Sequence, residues 1–334
     1  MNKILLNIAA GIFSLLVCFF LTEASMRIYY HLKPNYEYEM WRYAAELKRP
    51  LPDKKLPFAH VPSKSGHYYG VTITTNHLGF RDQEISADNL EESKRILVLG
   101  DSFTLGWGVP FKDLFTTKLE DLLNQDRARS RYKVINTGTG NYNSIMEVEL
   151  FKKYGLSLNP DIVILMYFAN DMEPTPEVPV YGYGLLSHLY LPGFMMERSE
   201  NLRRRMDRSN QDELMTYYRS IYSPDSVAME MNSGAIKELM HLCAQQGIKL
   251  LIVNIPEMRR LSSYPFGFIT KHIQNLADEA DIPFLDLMPL FIPYAERGQQ
   301  SLWVSPTDPH MNSAANLLTA DALYKKLKTE RIVQ

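Results

Sequence analysis

KRILVLGDSFT, residues 94–104, starts with charge, continues as a short apolar β-forming run, and meets Gly-Asp-Ser where a strand would stop. A serine at the carboxyl end of a strand that opens into a helix is where an α/β protein would hold a nucleophile. The tripeptide alone is an ordinary turn or capping sequence. Its weight comes from three further segments that follow it in order.

VINTGTGNYNS, residues 134–144, is a strand running into a glycine-rich turn. DIVILMYFAND, residues 161–171, is a β-branched and aromatic strand ending on an amide and a carboxylate. Asp308-Pro309-His310 stands just ahead of a helical stretch near the chain's end. Read singly, Asp308 and His310 fit a helix cap and a surface histidine, Asn170-Asp171 a strand-ending turn, and Gly138 and Gly140 a tight turn. Read together and in order, each supplies one part of an acyl-transfer site, and coincidence would have to act four times.

The four blocks resemble the SGNH/GDSL hydrolase family over roughly residues 94–327. Ser102 matches the first block, the 138–141 turn the second, Asn170 the third and His310 the last. The resemblance implies a three-layer α/β/α, flavodoxin-like domain with a central parallel sheet, and a serine-hydrolase site that needs no cofactor. Ser102 would be the nucleophile, His310 its base and Asp308 the acid that orients the imidazole, with Asp101 in a supporting place beside the serine. The oxyanion hole would combine the Ser102 N–H, the N–H of Gly140 or Asn141, and the Asn170 side-chain amide.

Three positions depart from the family pattern. The last glycine of the second block, Asn-x-Gly-x-x-Gly, falls on Asn141, with Gly140 one residue earlier; the donor is a backbone N–H in either case, and Asn tolerates positive φ. The usual glycine two residues before the third-block Asn is Phe168, which would narrow the pocket. The acid stands two residues before the histidine, as Asp308; Thr307 occupies the commoner position and cannot replace a carboxylate. The rival α/β-hydrolase elbow, Gly-x-Ser-x-Gly, is disfavoured because residue 104 is Thr and because acid and histidine are nearly adjacent.

Alternating strand and helix patterns support a parallel sheet with helices on both faces. Strands are expected at 95–99, 133–136, 162–167, 249–254 and 283–286. Phe111, Leu114, Phe115, Leu119, Leu122 and Leu123 form one apolar helical stripe, and a final helix at 313–328 would place His310 at its entrance.

The chain has 334 residues, 46% hydrophobic and 22% charged, enough for one large domain and an appendage. A formal net charge of -2 and the absence of basic runs interleaved with aromatics give no sign of nucleic-acid binding. The eight histidines are scattered without metal-ligand spacing, so no metal is expected. Protein partners cannot be named from the sequence.

Residues 4–22, ILLNIAAGIFSLLVCFFLT, carry no charge and are long enough to cross a bilayer. The run exceeds a signal-peptide core and Thr22-Glu23-Ala24 is a poor cleavage site, so a retained anchor is favoured over a cleaved signal. Arg27, Lys33 and Arg42 after the run outnumber Lys3 before it, which by itself favours a cytoplasmic body. Long domains translocate despite such flanks, and anchored relatives of the family face outward, so the expected location is extracytoplasmic, periplasmic or at the cell surface. Cys18 lies in the apolar run and Cys243 is alone, leaving the body no internal disulfide.

The expected organisation is an anchor at 1–25, a connector with an accessory β element at 26–92, and the hydrolase domain at 93–330 with an insertion at about 173–226. Within the connector, 36–43 reads as an aromatic-rich helix, prolines at 50, 52, 57 and 62 mark an extended stretch, and 68–75 reads as a strand. Asn76-x-x-Gly79-x-Arg81 would be a turn, either in a hairpin covering a sheet edge or bringing Arg81 to the border of the cleft. The insertion, with Tyr181-Gly182-Tyr183-Gly184 and Arg203-Arg204-Arg205, is placed to roof the site.

The activity these readings imply is a membrane-anchored serine esterase acting on a small acyl ester, O-acetyl on a carbohydrate foremost. An acyltransferase using the same acyl-serine, a lysophospholipid hydrolase, and a non-catalytic anchored glycan-binding or assembly protein are the alternatives.

Overall fold

The computed structural model describes residues 3–32, 35–85, 93–125, 131–176, 189–195, 198, 212–295 and 298–333. The chain begins with helix α1 (Lys3–Leu32) and helix α2 (Tyr36–Leu47), whose cap Asn35 accepts the Tyr38 N–H through its side chain. Two small antiparallel pairs follow, β1 (Lys48–Pro50) with β2 (Phe58–His60), and β3 (Ser65–Tyr68) with β4 (Val71–Thr74).

The main sheet has five parallel strands: β5 (Ser93–Gly100), β6 (Arg131–Asn136), β7 (Ile162–Tyr167), β8 (Lys249–Asn254) and β9 (Phe284–Asp286), in the order β6-β5-β7-β8-β9. Every residue of β7 and the inner half of β5 is buried, as expected of strands covered on both faces. Each Leu, Ile or Val held there contributes about 2 kcal/mol by leaving water. Helices α3 (Ser102–Leu105), α4 (Phe115–Leu123), α5 (Ser144–Leu150), α6 (Asp212–Ile221), α7 (Val227–Gln246), α8 (Gly267–Glu279), α9 (Met288–Ala295) and α10 (Ser313–Thr329) complete the domain, with the short pair β10 (Trp303–Ser305) and β11 (Asp308–Met311) before the last helix. Helix α4 packs on α10 and α5 on α7, giving the three-layer α/β/α arrangement with a central parallel sheet.

The strand order reverses at β5, whose neighbours β6 and β7 lead the chain away in opposite directions. The crevice at the carboxyl ends of such strands is the usual ligand position in open α/β sheets. The segments after β5, β6 and β7 are the first three sequence blocks. All five expected strands are present within two residues of their expected bounds, and α4 buries Phe115, Leu119 and Leu123 of the apolar stripe while Phe111 lies in a preceding 3-10 turn.

Helix α1 is long and apolar enough to cross a membrane over Lys3–Tyr30, and its apolar side chains up to Leu21 are exposed except for the half-buried Phe19. Its last turns meet the body. Tyr30 stacks on Tyr38 with ring centroids 4.1 Å apart, and the Glu23 carboxylate accepts the N–H groups of Tyr190 and Leu191 at 2.8 and 2.9 Å.

The β3-β4 hairpin forms its own two-stranded sheet and is not hydrogen-bonded into the main one. Met40, Tyr43, Ala44, Leu47, Tyr68, Val71 and Ile73 form their own cluster with Leu105 and Trp107, so α2 and the β3-β4 hairpin pack over the turn that follows β5. Within the expected insertion, Tyr218, Ile221 and Tyr222 are buried in the main core, and the 190–195 helical turn lies against Tyr38 and Trp41. Tyr181-Gly182-Tyr183-Gly184 and Arg203-Arg204-Arg205 lie outside the described residues.

Candidate active site

Gly100 ends β5 where a side chain could not fit: a Cβ there would fall 2.0 Å from Thr104 Oγ1. The chain turns at once into α3, capped by Asp101, whose Oδ1 accepts the Phe103 N–H at 2.8 Å. Ser102 occupies the first helical position, and its N–H has no intrahelical acceptor there. Gly138 serves the same close packing from the second block, since a Cβ on it would lie 2.2 Å from the Leu105 nitrogen.

Ser102 Oγ lies 2.8 Å from His310 Nε2, and His310 Nδ1 lies 2.6 Å from Asp308 Oδ1. A carboxylate can only accept, so Nδ1 carries the proton and Nε2 is left to accept from the serine hydroxyl. Asp308 and His310 both belong to β11, and the backbone N–H of His310 also donates to Asp308 Oδ1, at 3.1 Å. The two-residue spacing therefore makes a closed local turn that sets the carboxylate against the ring. The second carboxylate oxygen accepts the Trp107 indole N–H at 3.1 Å. Ser102 and His310 are only 6% and 7% exposed, which lowers the local dielectric and strengthens each of these contacts.

Asn170 donates through Nδ2 to Asp101 Oδ2 at 3.0 Å, which leaves the second amide hydrogen for another acceptor. Asp101 thus ties the first block to the third. Burial pushes its carboxyl up, opposed by the Phe103 N–H, the nearby His310 and the Asn170 amide. Behind it, Glu147 and Asp171 are fully buried, and desolvation together with neighbouring acids raises both far above the carboxylate range. Phe168, in place of the family glycine, packs its ring 4.5 Å from Phe103, which in turn lies 4.7 Å from the His310 ring.

In the second block the Gly140 N–H donates to Tyr43 Oη at 3.1 Å. Asn141 adopts φ +67°, the left-handed conformation expected of a residue in a glycine position, and its N–H has no acceptor among the described residues. The Ser102, Gly138–Asn141, Asn170, Asp308 and His310 blocks are therefore brought to one end of the sheet.

Arg81 does not border the cleft. It is 0% exposed, and its Nη1 donates to Leu105 O and Gly106 O at 2.8 and 2.7 Å while Nη2 donates to Val109 O at 2.7 Å. These are carbonyls at and beyond the carboxyl end of α3, so the guanidinium caps the helix that begins with Ser102. The surrounding motif has a local logic: Asn76 Oδ1 accepts the Leu78 and Phe80 N–H groups, and Asp82 accepts from Lys133 and the Asn136 N–H of β6.

Sequence reasoning missed Trp107, Tyr43, Lys48 and the place of Tyr36, whose ring lies 5.5 Å from that of His310. The only signal was the density of aromatics before the first block, which says nothing of where the accessory segment docks.

No family model matches the chain, and no curated protein matches it. Among solved structures it is similar to a two-domain esterase active on acetylated mannans, co-crystallised with mannopentaose, at 16% identity over 73% of this chain and 51% of that one, TM-score 0.47. It is similar to an acetylxylan esterase from Geobacillus stearothermophilus at 13% identity over 72% and 96% of the two chains, TM-score 0.48. A lipase/acylhydrolase from Enterococcus faecalis is matched at 13% identity over 71% and 96%, TM-score 0.44. The chain spans about half the length of the first of these.

Proposed function

We propose that this chain is a serine ester hydrolase of the SGNH/GDSL kind, anchored by α1 with its body outside the cytoplasm, that removes a small acyl group from a carbohydrate hydroxyl. The observation that carries the reading is the continuous contact from Ser102 Oγ through His310 to Asp308, with Trp107 on the far carboxylate oxygen.

Ser102 Oγ attacks the ester carbonyl carbon as its proton passes to His310 Nε2, and the carbonyl oxygen takes up the negative charge. That oxyanion is met by the Ser102 N–H, the Asn141 N–H and the free hydrogen of the Asn170 amide. The Gly140 N–H, already given to Tyr43, is the poorer candidate of the second-block pair. The intermediate collapses, the C–O bond to the sugar breaks, and His310 returns its proton to the leaving alkoxide. Water then repeats the sequence on the acyl-serine and releases the free acid. Asp308 keeps the imidazole tautomer and stabilises the imidazolium in both halves.

A small acyl group is supported by Phe103 and Phe168, which fill the space beside His310. A sugar acceptor is supported by Tyr36, a half-buried ring beside His310 of the kind on which a pyranose stacks. The test is acid release from acetylated xylan and mannan, and from 4-nitrophenyl esters of two to eight carbons. Acetate release that disappears in Ser102→Ala is the expected result. Turnover that survives Ser102→Ala, or a preference for the longest chain, contradicts it.

A further inference from the structure

The accessory segment reaches the second-block turn through a chain of polar groups that is buried as far as the exposed Asn141. Lys48, at the start of β1 and 4% exposed, places its Nζ 2.5 Å from Gly140 O and 3.0 Å from Asn141 Oδ1. The stem of the contact is held by aromatic faces, with Nζ 4.3 Å from the Phe58 ring centroid and 5.0 Å from that of Tyr43. Tyr43 Oη, which accepts the Gly140 N–H, lies 2.5 Å from His60 Nε2, and His60 Nδ1 lies 3.0 Å from Gly79 O. The carbonyl can only accept, so His60 holds its proton on Nδ1 and its Nε2 accepts from the tyrosine hydroxyl. Burial, with the neighbouring Lys48, lowers His60 to about 3, so the imidazole stays neutral and this direction of donation is stable.

The consequence concerns the peptide unit between Gly140 and Asn141. In a trans peptide the carbonyl oxygen and the following N–H point to opposite sides. Lys48 turns the Gly140 carbonyl into the accessory layer, so the Asn141 N–H is turned out of it. Asn141 is also the position where the family glycine is missing, and its side chain is gripped by the same amine. A glycine would reach φ +67° freely; an asparagine there is held by an added contact. Burial alone pushes the Lys48 ammonium well below its usual range, but an amine keeps two donors in either state, and the clamp uses two.

We infer that Lys48 is a positioning residue for the reaction: by fixing the Gly140 carbonyl and the Asn141 side chain, it aims the Asn141 N–H at the developing oxyanion. The inference rests on the esterase reading and adds to it a contribution from outside the four blocks. It also gives the accessory segment a role in turnover as well as in packing.

The experiment uses the full-length protein in detergent, with 4-nitrophenyl acetate as substrate and an acetyl-sized trifluoromethyl ketone as a probe whose hemiketal oxygen occupies the oxyanion hole. Lys48→Met, with the folded fraction fixed by thermal unfolding, is expected to lower kcat by about 10- to 100-fold while KM stays within about twofold, and to weaken the ketone in the same proportion. If Lys48→Met does not accumulate as folded protein, Lys48→Gln, whose shorter amide restores only part of the clamp, is expected to show a smaller loss that is again proportional in kcat and ketone affinity. A folded Lys48 variant with wild-type kcat and ketone affinity overturns the inference. So does a loss that vanishes once activity is scaled to folded protein. A wild-type protein that neither turns over the ester nor takes up the ketone overturns the esterase reading itself, and this inference with it.

Discussion

Trp107 Nε1 donates to Asp308 Oδ2 at 3.1 Å, from a ring that is itself buried between Tyr36, Tyr43 and Tyr69. Asp308 is thus held on both oxygens, one by His310 and one by a residue five positions beyond Ser102. Trp107→Phe keeps the ring packing and deletes the donor, leaving a buried carboxylate oxygen unsatisfied. We expect kcat/KM for 4-nitrophenyl acetate to fall by about 10-fold with little change in KM. Steady-state kinetics beside a thermal melt decide it; unchanged kinetics would show that the indole serves packing only.

Arg81 should behave as a structural cap for the serine helix. Burial lowers its pKa to about 10, so it remains charged at neutral pH, and three backbone carbonyls depend on it. Arg81→Met is expected to cost on the order of 3–5 kcal/mol in urea unfolding, because the carbonyls are left buried without donors. Arg81→Lys, which keeps a cation but not the forked geometry, should recover only part of that. A cost below about 1 kcal/mol for Arg81→Met would contradict the capping account.

Glu173 follows the third block, and burial, with a smaller effect from Asp101, raises its pKa from the usual 4.5 to about 7. The folded state therefore holds the proton where the unfolded chain has released it. This contribution is fully present below about 4.5 and is lost as pH rises through 7. Glu173→Gln should flatten the fall in melting temperature between pH 5 and pH 8. An unaltered slope would place the titration elsewhere, Glu147 and Asp171 being the nearest alternatives.

Helix α1 runs without interruption from Lys3 to Leu32, and Glu23, Arg27 and Tyr30 hold the 190–195 turn. These contacts favour a retained anchor. Intact-mass measurement of protein extracted from membranes should find residues 1–22 still attached, whereas a mature chain beginning near residue 25 would show a cleaved signal.

The main sheet was legible because its strands are short apolar runs set between turn residues, and burial on both faces leaves such runs nearly without polar interruption. That Ser102, Asn170, Asp308 and His310 would be brought to one place was legible because an acyl-transfer site restricts the residue types it can use, and each stands at the end of a recognisable strand or the start of a helix. The choice between Gly140 and Asn141 was not, because both carry an N–H and only the Tyr43 contact distinguishes them. The buried place of Arg81 was not legible either, for a related reason. A lone arginine after a turn normally faces water, and only the fold of α3 brings three carbonyls to it. Trp107, Tyr43 and Lys48 depend on how α2 and β1 dock, a tertiary fact with no local pattern.

The most direct test of the account is whether Ser102 is activated by His310. Full-length protein in detergent is exposed to a fluorophosphonate and the modified peptide is identified by mass. The account predicts one modified residue, Ser102, with labelling lost in His310→Ala and strongly slowed in Asp308→Ala. A folded wild-type protein that takes no label at Ser102, or a His310→Ala variant that labels as fast, would contradict it.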